Sequence, residues 1–216
     1  MDSTATSQRT SPLTRHSLLA LLTLALVAGP ICAQSTPPKA ELPLLKVGDR
    51  WKIEQRDRRT GAKGDEWVRS IATVSSEQIE GTENDSKMIL TPELNIIESA
   101  TTSAVGEPLK LLSFPLEVGK QWSVKTTGFN KVNQSRVRVQ LSAEVVGYER
   151  IKVIAGEFDA FKLEAKGYWN NDTSGGNGRV TYKYWYAPAA RTIVKTELDD
   201  GYSPWIRELV EYQLQP

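Results

Sequence analysis

Two short stretches of this sequence are nearly the same: LKVGDRW at residues 45–51 and LEVGKQW at residues 116–122. Leucine, valine, glycine and tryptophan recur in the same order at an offset of 71 residues. A glycine just before a strand suits a turn with positive φ, and a tryptophan soon after it suits an inward-facing anchor. The repeated phrase therefore predicts two equivalent turns, each followed by a strand that buries its tryptophan. The anchors of the two repeats are Gly48, Trp51, Gly119 and Trp122.

The sequence after each phrase has the period of two that antiparallel strands show. Residues 136–145 place valine, leucine and alanine on one side and charged or polar residues on the other. Residues 161–166 alternate in the same way, and residues 182–186 and 206–214 are rich in aromatic and β-branched side chains. No stretch after residue 34 has the period of a capped amphipathic helix. We therefore predict an all-β, mostly antiparallel fold: a curved sheet or a partly open barrel.

A second pair of similar segments suggests that the fold consists of two related β-meander units. VSSEQI at residues 74–79 resembles VGYERI at residues 146–151, at an offset of 72. A duplication predicts repeat units at about 44–113 and 114–216. The alternative is that two strand starts converged on the same convenient turn. In both cases the role of the repeated phrase is structural.

The first 33 residues are typical of a cleavable export signal. Two arginines precede an apolar run at residues 18–28, and Ala33 supplies the small residue that a signal peptidase requires. The run is far shorter than the roughly 20 residues that span a bilayer. We expect cleavage after Ala33, which leaves a Pro-rich tether at 34–43 and a single β domain at 44–216. The predicted location is the periplasm or the exterior, with no transmembrane span after cleavage.

Removing this segment restricts the chemistry that the protein can perform. The only cysteine, Cys32, and the only histidine, His16, both lie in it. Ser-His and Cys-His nucleophiles, His or Cys zinc sites and disulfides are then excluded. The remaining chain has 25 basic and 25 acidic residues, so it has no electrostatic basis for binding nucleic acid. We expect a protein that is not an enzyme and that uses no metal or cofactor.

Around and after the second phrase the sequence resembles a family of exported bacterial proteins whose central domain has no assigned function. The similar stretches keep their order along the chain: FPL at 114–116, VIAGEFDAFK at 153–162, YWYAP at 184–188 and IVK at 193–195. The similar region runs from about Leu45 to about Glu211. The resemblance implies an antiparallel β protein of the cell envelope, reminiscent of open barrels that carry lipoproteins or lipids. It brings no catalytic residues.

The C-terminal third is the most aromatic part of the chain, with 11 of the 17 aromatic residues between Phe158 and Tyr212. Alternation along a strand puts three tyrosines of residues 182–186 on one face. If residues 170–178 form a symmetric hairpin loop, Leu163 faces Trp185, and the tyrosines lie on the wetter face among charges. The candidate ligand-binding residues on that face are Tyr182, Tyr184, Tyr186, Lys162 and Lys166.

Such a stripe could stack on a sugar or hold a peptide. The alternatives are that the tyrosine–lysine pairs only stabilise the sheet, or that a second layer covers them. A shift of one residue in the loop would exchange the two faces. The same loop, residues 170–178, lacks the alternating acidic ligands of a calcium site.

Three functions follow from these patterns. The first is a module that binds or carries an apolar or envelope-derived ligand. The second is an assembly or interaction subunit that holds an envelope protein by a sheet edge or the aromatic face. The third is a carboxylate-based hydrolase, for which the spacing selects no pair of acidic residues. A dry cavity lined by leucine and aromatic side chains would favour the carrier, and a filled core with a flat aromatic face would favour the subunit.

Overall fold

The computed structural model describes residues 38–216, which lie within one compact unit, Thr36–Pro216. The predicted export signal, its cleavage site after Ala33 and the first residues of the predicted tether lie outside the described residues. The end of that tether is paired with the domain. Lys39–Ala40 forms a short strand against Leu116–Glu117, and Ala40 is buried.

Antiparallel strands supply almost all of the regular structure. They are β1 Lys39–Ala40, β2 Arg50–Asp57, β3 Lys63–Val74, β4 Ile79–Glu83, β5 Ser86–Leu90, β6 Ile96–Glu98, β7 Thr102–Ala104, β8 Leu116–Glu117, β9 Gln121–Asn130, β10 Ser135–Val153, β11 Gly156–Asn171, β12 Asn177–Ala187, β13 Thr192–Asp199 and β14 Trp205–Gln213. The one helix between residues 38 and 216 is a 3₁₀ turn, Pro188–Ala190. Nothing helical in that range is therefore long enough to cross a membrane.

Twelve of the strands close into a barrel, in the order β10-β11-β12-β13-β14-β2-β3-β4-β5-β6-β7-β9, while β1 and β8 pair separately. The all-β, antiparallel prediction is confirmed, and the sheet is a closed barrel rather than a partly open one. The predicted strands are present: residues 136–145 lie in β10, 161–166 in β11, 182–186 in β12 and 206–214 almost entirely in β14.

Apolar and polar residues alternate along β10 because one face of the strand packs inside the barrel. Leu141, Ala143 and Val145 are at most 2% exposed, whereas their neighbours are half-buried or exposed. The far end of the β10–β11 hairpin folds against β14, where the amide of Ala155 donates to the carbonyl of Leu209 at 2.9 Å.

The two repeated phrases form the same turn. Gly48 and Gly119 both have a φ of +91°, a conformation that strains residues with a side chain. Gly48 donates its amide to the Ile71 carbonyl in β3 at 2.9 Å, and Gly119 donates its amide to the Val145 carbonyl in β10 at 2.8 Å. Each turn is therefore hydrogen-bonded to the strand with which the following strand pairs: β3 in the case of β2, and β10 in the case of β9.

The tryptophans that follow these turns are both tied to other parts of the chain. Trp51 is 4% exposed, and its indole N–H donates to the Ala190 carbonyl at 2.8 Å. Trp122 is half-buried, and its indole N–H donates to the Lys110 carbonyl at 2.9 Å. Both side chains are anchors, and each anchors a different loop.

The second pair of similar segments does not occupy equivalent positions. Residues 74–79 run from the end of β3, through a tight turn, to the start of β4. Residues 146–151 lie inside the continuous strand β10. The similarity of these two segments is therefore not structural, because one bends where the other stays extended.

A segment without regular structure, residues 105–115, connects β7 to β8; its first three residues are exposed, and its Leu112 packs in the core of the barrel. We call it the strap. Inward-facing side chains hold its backbone: besides Trp122, Tyr184 in β12 donates its hydroxyl to the Leu111 carbonyl at 2.6 Å. Asn95 donates to the Leu112 carbonyl at 2.8 Å and accepts from the Leu112 amide at 2.9 Å. The strap is thus fixed from several sides of the barrel wall.

Buried apolar residues form two clusters, and strap residues pack in one of them. That cluster joins the strap to β9, β10, β11 and β12, and it includes Leu112, Phe161, Leu163, Tyr184 and Tyr186. We call this the filled side of the barrel. The other cluster gathers buried residues of β2, β3, β4, β5, β13 and β14 together with the ends of β10, β11 and β12, and part of it borders an internal cavity.

Candidate functional site

The barrel contains an internal cavity of about 290 Å³. Its wall comes from β2, β3, β5, β6, β7, β12, β13 and β14, from the connections before β2, β6 and β13, and from the strap. No residue of β9, β10 or β11 lines it. The apolar lining residues are Leu45, Trp51, Ile53, Trp67, Ile71, Met88, Leu90, Leu94, Ile96, Leu109, Leu111, Leu112, Ile193, Val194, Trp205 and Leu209.

The strap separates this cavity from the filled side. Leu109, Leu111 and Leu112 line the cavity, while Leu112 is also part of the cluster on the filled side and is 1% exposed. The strap lies between the two regions because Tyr184 and Asn95 hold its backbone. The cavity is the space that the strap does not fill.

One part of the cavity wall carries a guanidinium between two indole rings. The Arg207 Cζ atom lies 4.3 Å from the centre of the Trp67 ring and 4.2 Å from the centre of the Trp205 ring. Strand geometry brings them together, because Trp205 and Arg207 alternate inward on β14 and Trp67 faces inward two strands away on β3. The Arg207 Nε donates to the Gln55 Oε1 at 2.9 Å. This bond and the two rings orient the guanidinium.

Burial determines the electrostatics of this region. It lowers the pKa of Arg207 to about 10, and the nearby positive charge of Arg69 acts in the same direction. The carboxylates of Glu83 and Asp65 and the hydroxyl of Tyr182 act in the opposite direction. Arg207 is still charged at neutral pH, so the cavity presents a cation that is poorly hydrated.

Two further arginines line the cavity, and both are neutralised by a buried acid. Arg69 contacts Glu83, which is 3% exposed, with a 2.7 Å N–O distance. Arg191 contacts Asp49, which is fully buried, at 3.1 Å. Asp49 also accepts from the amide of Gln215 at 2.7 Å. Asp49, which belongs to the first repeated phrase, thus connects the residues just before β2 to the C-terminal residues.

The predicted tyrosine face points into the barrel, so the expectation that it lies on the wetter side is wrong. Leu163 pairs with Tyr184 and not with Trp185. The reason is that Asn170 pairs with Asn177, whereas the symmetric loop assumed for residues 170–178 would pair it with residue 178. Tyr184 is 0% exposed and Tyr186 is 1% exposed. The one-residue shift exchanged the two faces of the strand.

Of the three tyrosines, only Tyr182 lines the cavity. Burial raises the pKa of its hydroxyl to about 12, against a smaller opposite effect of Arg207. The Tyr184 hydroxyl is occupied by the strap, and the Tyr186 ring packs edge-on against Phe114 with the centres 5.1 Å apart. Burial raises the pKa of both.

The two lysines predicted to join the tyrosines lie on the opposite side of the strands. Lys162 pairs with Trp185 and Lys166 pairs with Thr181. Trp185 is buried, with Lys162 5.5 Å from its ring centre and its indole N–H donating to Glu149 at 2.7 Å. The structure therefore does not bring the five candidate residues together in one site.

Alternation along the strands did not by itself point to Arg207 and its two tryptophans. A signal was present, because Trp205, Arg207 and Leu209 occupy one face of a strand with period two. An arginine between two large apolar residues on an inward face is unusual, since buried cations need compensation. Trp67 could not be found this way, because only strand pairing places it beside Arg207. Within residues 38–216, no group of three or more His, Cys, Asp or Glu could hold a metal ion.

Comparison with known proteins shows the fold but no named family. No protein-family model matches the chain. No curated protein matches it either. Among solved structures, a Bacteroides fragilis protein described as exported, with a YmcC-like fold, is 15% identical with a TM-score of 0.54, covering 81% of this chain and 99% of its own.

A Parabacteroides distasonis protein described as a lipoprotein is 15% identical with a TM-score of 0.53 and has the same coverage, 81% and 99%. The Escherichia coli lipoprotein YmcC is 10% identical with a TM-score of 0.43, covering 76% of this chain and 84% of its own. The first two structures show that this chain has a YmcC-like β-barrel fold. The expected resemblance to uncharacterised, β-rich exported bacterial proteins is thereby confirmed at the level of the fold.

Proposed function

We propose that this protein is an exported, non-catalytic binding protein that holds a small apolar ligand inside its barrel. The observation that carries the proposal is the cavity of about 290 Å³, whose lining is mostly leucine, isoleucine and tryptophan. Small-ligand sites have volumes of about 300–1,000 Å³ and a mostly apolar lining with a few polar groups. The cavity is at the small end of that range and has this composition.

The location rests on two independent supports. The first 33 residues have the pattern of an export signal. The two proteins with the same fold are described as exported and as a lipoprotein. An envelope location gives access to acyl chains and other apolar compounds, which fits a binding or carrier role.

The interaction-subunit alternative loses its main support, since the tyrosine face on which it relied lies inside the barrel. The hydrolase alternative needs two free carboxyl groups at one site. Among residues 38–216, Glu208 is the one acid that lines the cavity, so no pair of carboxyl groups meets there. Both observations favour the binding role.

The test is a titration of the purified protein with decanol, a neutral single-chain probe, followed by tryptophan fluorescence. Trp51, Trp67 and Trp205 line the cavity, so a bound chain should change their emission. Thr196, which lines the cavity and pairs with Arg207 across β13 and β14, provides the blocking variant Thr196→Phe. Thr73→Phe places the same ring at an exposed position and serves as the matched control.

We expect saturable binding to the wild-type protein and to Thr73→Phe, and binding weaker by roughly tenfold or more in Thr196→Phe, because the added ring occupies the space of the ligand. Circular dichroism should show the same β content in all three proteins. Binding that is indifferent to Thr196→Phe, or no binding to the wild-type protein, would contradict the proposal.

A further inference from the structure

We propose that the ligand is a single-chain amphiphile with an anionic head group, a carboxylate or a phosphate ester, bound by Arg207. This inference rests on the proposed binding function and specifies the ligand class. It depends on the difference between Arg207 and the other two arginines of the cavity, on the orientation of its guanidinium and on the shape of the apolar space beside it.

Arg207 is the cavity arginine without a carboxylate partner. Arg69 is paired with Glu83, and Arg191 is paired with Asp49. Among residues 38–216, no Asp or Glu forms an ion pair with Arg207, whose one hydrogen bond is to the neutral amide of Gln55. A partly buried cation without a counter-charge is costly to the folded protein. An anionic ligand would supply the missing charge.

The orientation of the guanidinium suits an anion with two oxygens. Its Nε is occupied by Gln55, and the Trp67 and Trp205 rings lie close to its Cζ at 4.3 and 4.2 Å. Both Nη atoms lack a hydrogen-bond partner in the described part of the chain. Arginine binds carboxylates and phosphates through parallel N–H donors, and a fixed guanidinium loses little entropy when it does so.

The nearby charges favour an anion over a cation. Arg69 is close enough to lower the pKa of Arg207, while the carboxylates of Glu83 and Asp65 are close enough to raise it. Because Arg69 is already paired with Glu83, the charge that would attract an anion here is that of Arg207 itself. A cationic head group would meet an uncompensated positive charge in a region of low dielectric constant, where repulsion is strong.

The remainder of the cavity fits one hydrocarbon chain. Most of the remaining lining is apolar, with Ile53, Met88, Leu90 and Ile96 from the strands and three leucines from the strap. Its volume, about 290 Å³, lies at the bottom of the range for small-ligand pockets. A lipid with two acyl chains would exceed it, whereas one chain with a small head group would not.

The experiment compares four probes with the same ten-carbon chain and different head groups: decanoate, decyl phosphate, decanol and decyltrimethylammonium. Affinities are measured by calorimetry at neutral pH and below the aggregation concentration of each probe. The variants are Arg207→Gln, which removes the charge, and Arg207→Lys, which keeps the charge but loses the planar donor pair. Arg179→Gln is the control, because Arg179 is exposed on β12, two strands away from β14.

We expect decanoate or decyl phosphate, or both, to bind the wild-type protein roughly tenfold or more tightly than decanol, and the cationic probe to bind most weakly. The tighter of the two anions identifies the head group as carboxylate or phosphate. Arg207→Gln should abolish the preference for the anion and leave decanol binding within about threefold, and Arg207→Lys should retain part of the preference. Arg179→Gln should behave as wild type.

Equal binding of decanol and both anions to the wild-type protein would overturn this inference and leave the proposed function intact. If none of the four probes binds, the proposed function fails as well. A preference for anions that persists in Arg207→Gln would also overturn the inference, because another group would then be responsible. If Arg207→Gln does not fold, the wild-type probe series and Arg207→Lys decide the question.

Discussion

The two sides of the strap differ although the same kind of strand surrounds both. On the filled side, Leu163 and Tyr184 are 0% exposed and Phe161 is 1% exposed. On the cavity side, Trp67, Ile96 and Arg207 are only half-buried, and an internal space remains beside them. One barrel thus contains a packed core and an unfilled site, separated by a segment without regular structure.

This difference teaches that stability and binding are assigned to different parts of the barrel interior. Packed side chains lose contacts and leave a void when they are truncated, so the filled side should dominate the free energy of unfolding. Side chains beside an existing void have fewer partner atoms to lose. Half-buried residues that border the cavity, such as Ile96, should therefore tolerate truncation better than residues on the filled side.

The largest effect is expected from truncating one side chain on each side. Leu163→Ala should lower the free energy of unfolding by about 2–5 kcal/mol, because it opens a void in a close-packed cluster. Ile96→Ala should cost less than half as much, because Ile96 already borders the cavity. Denaturant unfolding curves measure both values. Equal losses would mean that the two sides are packed alike.

The next effect concerns the segment that divides the two sides. Asn95→Ala leaves the buried N–H and C=O of Leu112 without their partners, and should destabilise the protein by about 1–3 kcal/mol. Amide hydrogen exchange should accelerate in the strap more than in β10. Asn177→Ala removes an exposed amide and is the control. Unchanged exchange in the strap would show that Asn95 does not hold it.

A smaller effect should follow from removing one hydroxyl. Tyr184→Phe deletes the donor to the Leu111 carbonyl and should cost about 1 kcal/mol. Tyr186→Phe is a matched control, because no described residue hydrogen-bonds its hydroxyl. Thermal unfolding compares the two variants. If Tyr186→Phe destabilises the protein as much as Tyr184→Phe does, the hydrogen bond from Tyr184 to Leu111 cannot be the cause of the loss.

The smallest effect is a dependence on alkaline pH. Burial raises the pKa of Tyr182 to about 12, above its unfolded value near 10. The unfolded chain then loses this proton first, so the contribution of Tyr182 is fully present below pH 10 and is lost as the pH rises towards 12. Near-ultraviolet absorbance of tyrosinate, compared between wild type and Tyr182→Phe, measures it. Ionisation of Tyr182 in its ordinary range would contradict its burial beside the cavity.

Much of the fold was predictable, because it depends on local patterns. The strand at residues 136–145 could be recognised because its alternation matches the pleat of a strand with one buried face. The turns at Gly48 and Gly119 could be recognised because few residues other than glycine adopt a φ of +91° without strain. The similarity of residues 74–79 and 146–151 misled because six residues do not specify whether a chain turns or stays extended.

The site was much less predictable. The three tyrosines of β12 were correctly placed on one face, but the choice between inside and outside depended on one residue of loop length. Lys162 and Lys166 were correctly placed on the face opposite Leu163, but the tyrosines do not share that face. The candidate site around Arg207 needed the pairing of β14, β2 and β3, which brings together residues far apart in the chain.

The sequence by itself determined the all-β class, the turns of the repeated phrase and the absence of cysteine and histidine after residue 33. These properties follow from composition and from interactions between residues close in the chain. Long-range contacts were needed to show that the barrel closes, that the strap packs inside it and that no acid among residues 38–216 pairs with Arg207. The physical reason is that strand register and loop path set which side chains meet, and both depend on contacts between distant parts of the chain.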